Sequence, residues 1–376
     1  MTRIAIENGQ VIDPECGTIE ARTVAVEDGR IVEALSGPAD ETVDARGAYV
    51  APGFVDLHTH VFSHDLFDHS RLEADRIGVA QGVACVVDAG SSGARTIDAF
   101  PELVRTQRTR VFAFINIGSP GFPTLGGGHA SRPELCDLEG TVRAFERHDD
   151  WLVGVKVLAS QSHTGSFGLE AVKLARKAAD LVSKPLMLHI GNAPPVIDDV
   201  LELLRPGDIV THSYHGKIGG VLGYRDQVIP AFREAVARGV VVDLGHGRSS
   251  FSFRTCEQAL AQGMPLHCIS TDLHRGNLER YVVSLARTMS KIRTLGFSLL
   301  DVVKAVTVNP ARAIRMDERG FGTLRAGASA LLTIFEEVED PWRVEDAVGD
   351  ARDVPRRIDT LGVLVGEAYH VRSAEL

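Results

Sequence analysis

From residue 51 onward, short apolar runs rich in β-branched residues alternate with longer stretches whose apolar residues recur at helical spacing. No other feature restricts the fold as strongly. The runs are GFVDLH (53–58), GVACVVDAG (82–90), RVFAFINIG (110–118), VGVKVLA (153–159), PLMLHIG (185–191), GDIVTH (207–212), GVVVDLG (239–245) and PLHCISTD (265–272). Between them, segments 168–183, 196–205 and 225–238 read as amphipathic helices. Eight strands alternating with helices predict the α/β class and a (β/α)8 barrel of the TIM type. The competing doubly wound open sheet would bring a G-x-G-x-x-G after an early strand, and none follows.

The two ends of the sequence have a different rhythm. In residues 1–51, RIAIENGQVID, TVAVEDGRIVEAL and ETVDARGAYV are strand-like, and Asn8-Gly9 and Asp28-Gly29 carry hairpin-turn chemistry. GTLRAGASALLTIF and RIDTLGVLVGEAYH, within 322–376, look strand-like again. The two sets are expected to pair as one small β-sandwich, leaving 52–321 as the barrel. Composition serves to exclude partners and compartments. A net charge of −10 disfavours a nucleic-acid surface and supplies no polybasic patch for a membrane. No apolar run approaches the length of a membrane span, and the first residues have no signal-like core. Five cysteines without a C-x-x-C pair suit a reducing compartment, so a cytoplasmic location is expected. Barrels of this kind often self-associate through their outer helices, and no feature sets a subunit number.

In a barrel, functional side chains stand at the C-terminal ends of strands. The first run sits in APGFVDLHTHVF (51–62), and side chains at i and i+2 of a strand point the same way. His58 and His60 therefore converge, and two neutral imidazoles aimed at one point make a half-site for a transition metal. One H-x-H among fourteen histidines is weak by itself. The other strand ends strengthen it: the fourth run carries Lys156, the fifth ends with His189, the sixth with His212 and the eighth with Asp272. Lys156 is the odd member. Its plain reading is a lysine that snorkels to solvent or pairs with an acid. A desolvated amine could instead lose its proton and react with carbon dioxide. The resulting carbamate has two oxygens, enough to bridge two metals.

APGFVDLHTH, GVKV, LMLHIGNAP, IVTHSYHGK, ISTDLH and AVTVNPARAI stand in the order shown by the amidohydrolase superfamily of metal-dependent hydrolases, which the sequence resembles over essentially its whole length. GVACVVDAGSSGA, RPGDIVTHSYHGKIGG, VVDLGHGRSSFSF and ISTDLH look like its amidohydrolase/deacetylase branch, often called dihydroorotase-like. That branch includes esterases that deacetylate O-acetylated 2-hydroxy acids such as acetyl-mandelate. The resemblance implies a binuclear site, usually zinc, with His58, His60 and Asp272 on one metal, His189 and His212 on the other, and carboxylated Lys156 between them. It implies deacetylation of a small N- or O-acetylated 2-substituted acid by water activated between the metals, with Asp272 moving the proton. Cyclic-amide hydrolysis is the enzymatic alternative. Dihydroorotases usually place an arginine two residues after H-x-H, where this chain has Phe62. A metal-free assembly protein is the non-catalytic alternative, against which the complete ligand set stands. The late motif departs from the usual A-D-L-T-I-F, with Leu331 at the acidic position.

Further polar residues near the expected barrel mouth are candidates for substrate contact. His246 lies between two glycines after the seventh run, and Tyr214, His215 and Lys217 follow the sixth, where they could hold a carboxylate or carbonyl. His163 and His274 are weaker candidates of the same kind. Asp56 shares the strand face with His58 one step deeper and is expected to orient a ligand rather than be one. The Gly- and Pro-rich loop 118–130 is a candidate lid. His64, His69, His129, His148, His267 and His370 are expected to be ordinary loop, surface or packed residues.

Overall fold

A computed structural model of the chain describes residues 1–62, 72–121 and 130–373. Seven of the eight predicted runs form strands: Phe54–Thr59, Val83–Gly93, Arg110–Asn116, Leu152–Ala159, Leu186–Ile190, Ile209–Thr211 and Val241–Val242. They lie side by side in sequence order, and every pairing between neighbours is parallel. Phe54–Thr59 and Val83–Gly93 are buried at every position, which is why they read as continuous apolar runs without alternation.

The eighth run is not a strand. Cys268 bridges Asp243 and Leu273 bridges Thr59, so the segment touches both edges of the seven-stranded sheet through isolated parallel bridges. Cys268 O accepts from Leu244 N at 3.0 Å, and Leu273 O accepts from His60 N at 2.8 Å. Asp272 takes φ 54°, a left-handed backbone that interrupts an extended run. Buried Asp56 fastens this segment to the first strand, accepting from the Thr271 amide at 3.0 Å and the Thr271 hydroxyl at 2.5 Å. Its position one step below His58 thus serves the junction between the two edges.

Helix Gly168–Val182 forms as predicted, and its buried Ala171, Ala175, Ala178 and Ala179 let it lie close against strand Leu152–Ala159. The helix expected over 225–238 begins only at Pro230, because Arg225 and Asp226 take positive φ and the proline sits in the first turn. Ile197–Glu202 is shorter than the predicted 196–205.

Strands from both ends of the sequence are knitted into one hydrogen-bonded sheet of eight strands, rather than the two facing sheets expected of a sandwich. Tyr49–Pro52 is the seam: it pairs in parallel with Arg3–Asp13 and antiparallel with Leu331–Val338. The sheet encloses its own apolar cluster, including Ile4, Val24, Val50, Leu332 and Leu364. Asp28-Gly29 makes the expected two-residue turn between Glu27 and Arg30. Asn8-Gly9 does not; it forms a bulge inside strand Arg3–Asp13. No helix among the described residues is long and apolar enough to cross a membrane.

Candidate active site

The C-terminal ends of the parallel strands surround a cavity of about 210 Å³ lined by His58, His60, Lys156, His189, His212 and Asp272. A wider groove of about 1020 Å³, reached from the opposite end near Arg110, contains none of these six residues. The first strand supplies the nearest pair. His58 Nε2 and His60 Nε2 approach the same oxygen, Asp272 Oδ1, at 3.5 and 3.2 Å. Ligand atoms of His58, His212 and Asp272 lie within 4.8 Å of one another. His189 extends the cluster on the far side, its ring 4.3 Å from that of His212. Lys156, 1% exposed, places Nζ 3.2 Å from His58 Nε2 and 3.4 Å from Met187 Sδ.

The chemistry of these donors fits a divalent metal. A ligand imidazole must be neutral, with one bare nitrogen facing the ion. Burial drives His58 and His189 well below the ordinary imidazole value and brings His212 to about 3. His212 Nδ1 is 2.5 Å from the Gly245 carbonyl, which can only accept, so Nδ1 carries the proton and Nε2 is bare. Burial pushes the Asp272 carboxyl up, but its bond to His60 and the nearby His212 outweigh this and hold it at about 2. Burial also lowers the Lys156 amine to about 8, against the pull of Asp272, Asp243 and Asp88, so a reactive neutral fraction exists near neutrality. His212 (φ 62°) and Asp272 (φ 54°) both adopt left-handed backbone, a conformation costing roughly 1–2 kcal/mol for a residue with a Cβ.

Glycines flanking His246 make room for this packing. Gly247 has φ 55°, and a Cβ there would lie 2.5 Å from Asp272 Oδ2. Gly245, at φ 49°, would press a Cβ onto Thr211 and His212. His246 itself does not line the cavity. It is fully buried, with Nε2 3.0 Å from Lys291 Nζ and its ring 4.8 Å from that of Phe251. Tyr214 and His215 also turn away: the Tyr214 hydroxyl donates to the Pro265 carbonyl, and His215 Nδ1 accepts from the Lys217 amide. Of the four predicted substrate contacts, only Lys217 reaches the cavity.

His163 and His274 also line it, joined by residues the sequence reading did not single out: Ser160, Ser162, Arg248 and Ser250. Arg248 was findable as the first charge after the G-H-G turn. Phe62 is 6% exposed and stacked on Phe100 at 5.4 Å, so it belongs to the core. His148 binds Asp98 at the surface, and His267 accepts from the Val242 amide. His64, His69, His129 and most of the candidate lid (residues 122–129) lie outside the described residues.

Residues 41–193 match the model described as Amidohydrolase family. Over 349 residues the chain is 37% identical to a protein of Agrobacterium fabrum named a deacetylase, covering 90% of this chain and 84% of that relative. A crystal structure of an adenine deaminase matches with a TM-score of 0.91 at 31% identity, covering 99% of this chain and 100% of the other. A crystal structure of a dihydroorotase matches equally well, with a TM-score of 0.91 at 32% identity over 99% and 98% of the two chains. Barrel strands, the ligand-type cluster and these relatives agree: the chain belongs to the amidohydrolase family and is a hydrolase.

Proposed function

We propose that the protein is a metal-dependent deacetylase acting on small N- or O-acetylated acids that bear a carboxylate next to the acylated carbon. One observation carries this reading: six imidazoles, four of them the expected ligands, share a small cavity with a buried lysine, a carboxylate and two cationic side chains, Lys217 and Arg248. The relative named a deacetylase supports the reaction type. The cavity is below the roughly 300–1,000 Å³ of pockets for drug-sized ligands, which suits a compact substrate.

His58, His60 and Asp272 would hold one metal, His189 and His212 a second, and Lys156, carboxylated by carbon dioxide with release of a proton, would bridge them. Zinc is the proposed metal, and when bound it supplies Lewis acidity toward the substrate carbonyl and toward water. Asp272 takes a proton from the attacking water and returns it to the leaving oxygen or nitrogen. Its Oδ1 faces two imidazoles, leaving Oδ2, which packs against the bare Cα of Gly247, as the atom that moves the proton. Lys217 and Arg248 grip the substrate carboxylate by charge-assisted hydrogen bonds. Five free cysteines, three of them buried, support the cytoplasmic location proposed with it.

The dihydroorotase likeness favours a second reading, cyclic-amide hydrolysis. Phe62 cannot serve a carboxylate there, because its ring is packed in the core. The deciding experiment is a screen of zinc-loaded protein against N- and O-acetyl 2-amino and 2-hydroxy acids, both enantiomers, with dihydroorotate and hydantoins beside them, and with metal content measured. Acetate release by wild type, lost by two or more orders of magnitude in Asp272→Asn with metal retained, is expected. Turnover of only the cyclic amides, or a fully active Asp272→Asn protein, overturns the proposal.

A further inference from the structure

Behind the cavity wall, three buried side chains form a chain of hydrogen bonds ending on His58. Ser270 Oγ accepts from the Gly245 amide at 3.0 Å and donates to Asp243 Oδ2 at 2.8 Å. Thr211 Oγ1 donates to the same carboxylate oxygen at 2.6 Å. His58 Nδ1 lies 2.8 Å from Thr211 Oγ1. Thr211, Asp243 and Ser270 are each fully buried and come from three successive segments of the barrel wall.

A hydroxyl has one hydrogen and accepts with its lone pairs. Thr211 commits its hydrogen to Asp243, so only a lone pair faces His58. The hydrogen between them must then belong to His58 Nδ1, and Nε2 is bare. Nε2 is the atom that faces Asp272 Oδ1 and Lys156 Nζ. The Gly245 residue unites this chain with the second imidazole: its N–H donates to Ser270 Oγ, and its carbonyl accepts from His212 Nδ1–H.

We infer that Thr211, Asp243 and Ser270, with the Gly245 backbone, are positioning groups that lock His58 and His212 in the Nδ1–H tautomer, so that both present Nε2 to metal. The inference rests on the proposed metal centre. It assigns the relay a definite output: a bare nitrogen held in place before any ion arrives, which a free imidazole, exchanging its proton between two nitrogens, does not offer.

The test substitutes Thr211→Val, which keeps the shape and removes the acceptor, with Thr211→Ser restoring the hydroxyl and Thr211→Ala omitting the added methyl. Zinc affinity is read by competition with a chromophoric chelator. Nitrogen NMR of the His58 ring is recorded on metal-free protein. Thr211→Val and Thr211→Ala should bind zinc 10–100-fold more weakly and lose the pure Nδ1–H signature, while Thr211→Ser matches wild type in both. Wild-type affinity in Thr211→Val, or an unchanged His58 tautomer, overturns the inference. If wild type binds no zinc, the metal centre itself is refuted, and the NMR of the metal-free proteins still decides whether the relay fixes the tautomer.

Discussion

Replacing Gly247 with alanine tests the proton-moving role of Asp272 without replacing any ligand side chain. The new Cβ would lie 2.5 Å from Asp272 Oδ2, where ordinary van der Waals contact needs about 3.4–4 Å. The carboxylate must therefore shift by roughly 1 Å, and displacement of a reacting group by that distance can cost about 10²-fold in rate. Alanine at φ 55° adds backbone strain of roughly 1–2 kcal/mol. Gly263→Ala separates the two effects, because Gly263 has φ 80° and nothing within 4 Å of its added Cβ. Both variants should melt earlier by similar amounts. Only Gly247→Ala should lose about 10²-fold in kcat on the acetylated acid that wild type prefers, at equal metal content. If Gly247→Ala turns over within threefold of wild type, either Oδ2 is free to move without consequence or Asp272 does not carry the proton, and the mechanism fails.

Two further outcomes follow from the buried lysines. Lys156→Met keeps the length of the side chain but cannot form a carbamate, so zinc content should fall by at least one ion per chain, and bicarbonate should speed reconstitution of metal-free wild type alone; equal metal content in both proteins refutes the bridge. Burial lowers Lys291 to about 7 from the ordinary lysine value. Between about pH 7 and 10 the unfolded chain then holds a proton that the folded one does not, and wild-type stability should rise with pH relative to Lys291→Met, by up to about 1.4 kcal/mol per pH unit in denaturant titrations. A difference independent of pH would show that the amine titrates normally.

The ligand-type cluster was legible because strand geometry fixes facing: His58 and His60 at i and i+2 had to share a side, and His189, His212 and Asp272 stood at the ends of the fifth, sixth and eighth runs. Off the strands that logic lapses. Tyr214, His215 and His246 are neighbours of cavity residues along the chain, yet turn and loop backbone sends their side chains into the protein, onto Pro265, the Lys217 amide and Lys291. Arg248 reached the cavity without any periodic signature. The eighth run had strand-like composition, but what makes a strand is an unbroken ladder, and the positive φ of Asp272 interrupts it. Asn8-Gly9 has the chemistry of a tight turn and the same chemistry suits a bulge; long-range pairing of strand Arg3–Asp13 with Thr18–Glu27 decided between them. Pairing also decided that the strands of both sequence ends form one sheet, a choice local alternation does not encode.

The seam between Tyr49–Pro52 and Leu331–Val338 imposes a timetable on biosynthesis. Pro52 cannot meet Leu332, its register partner, until about 280 further residues have been made and have left the ribosome. At typical translation speeds that delay is on the order of tens of seconds. Throughout it, the strand leading into His58 and His60 presents an unpaired edge, the sort of template that recruits other chains. A nascent chain arrested before residue 331 would keep that edge permanently, so premature termination here should yield aggregates rather than a smaller working barrel.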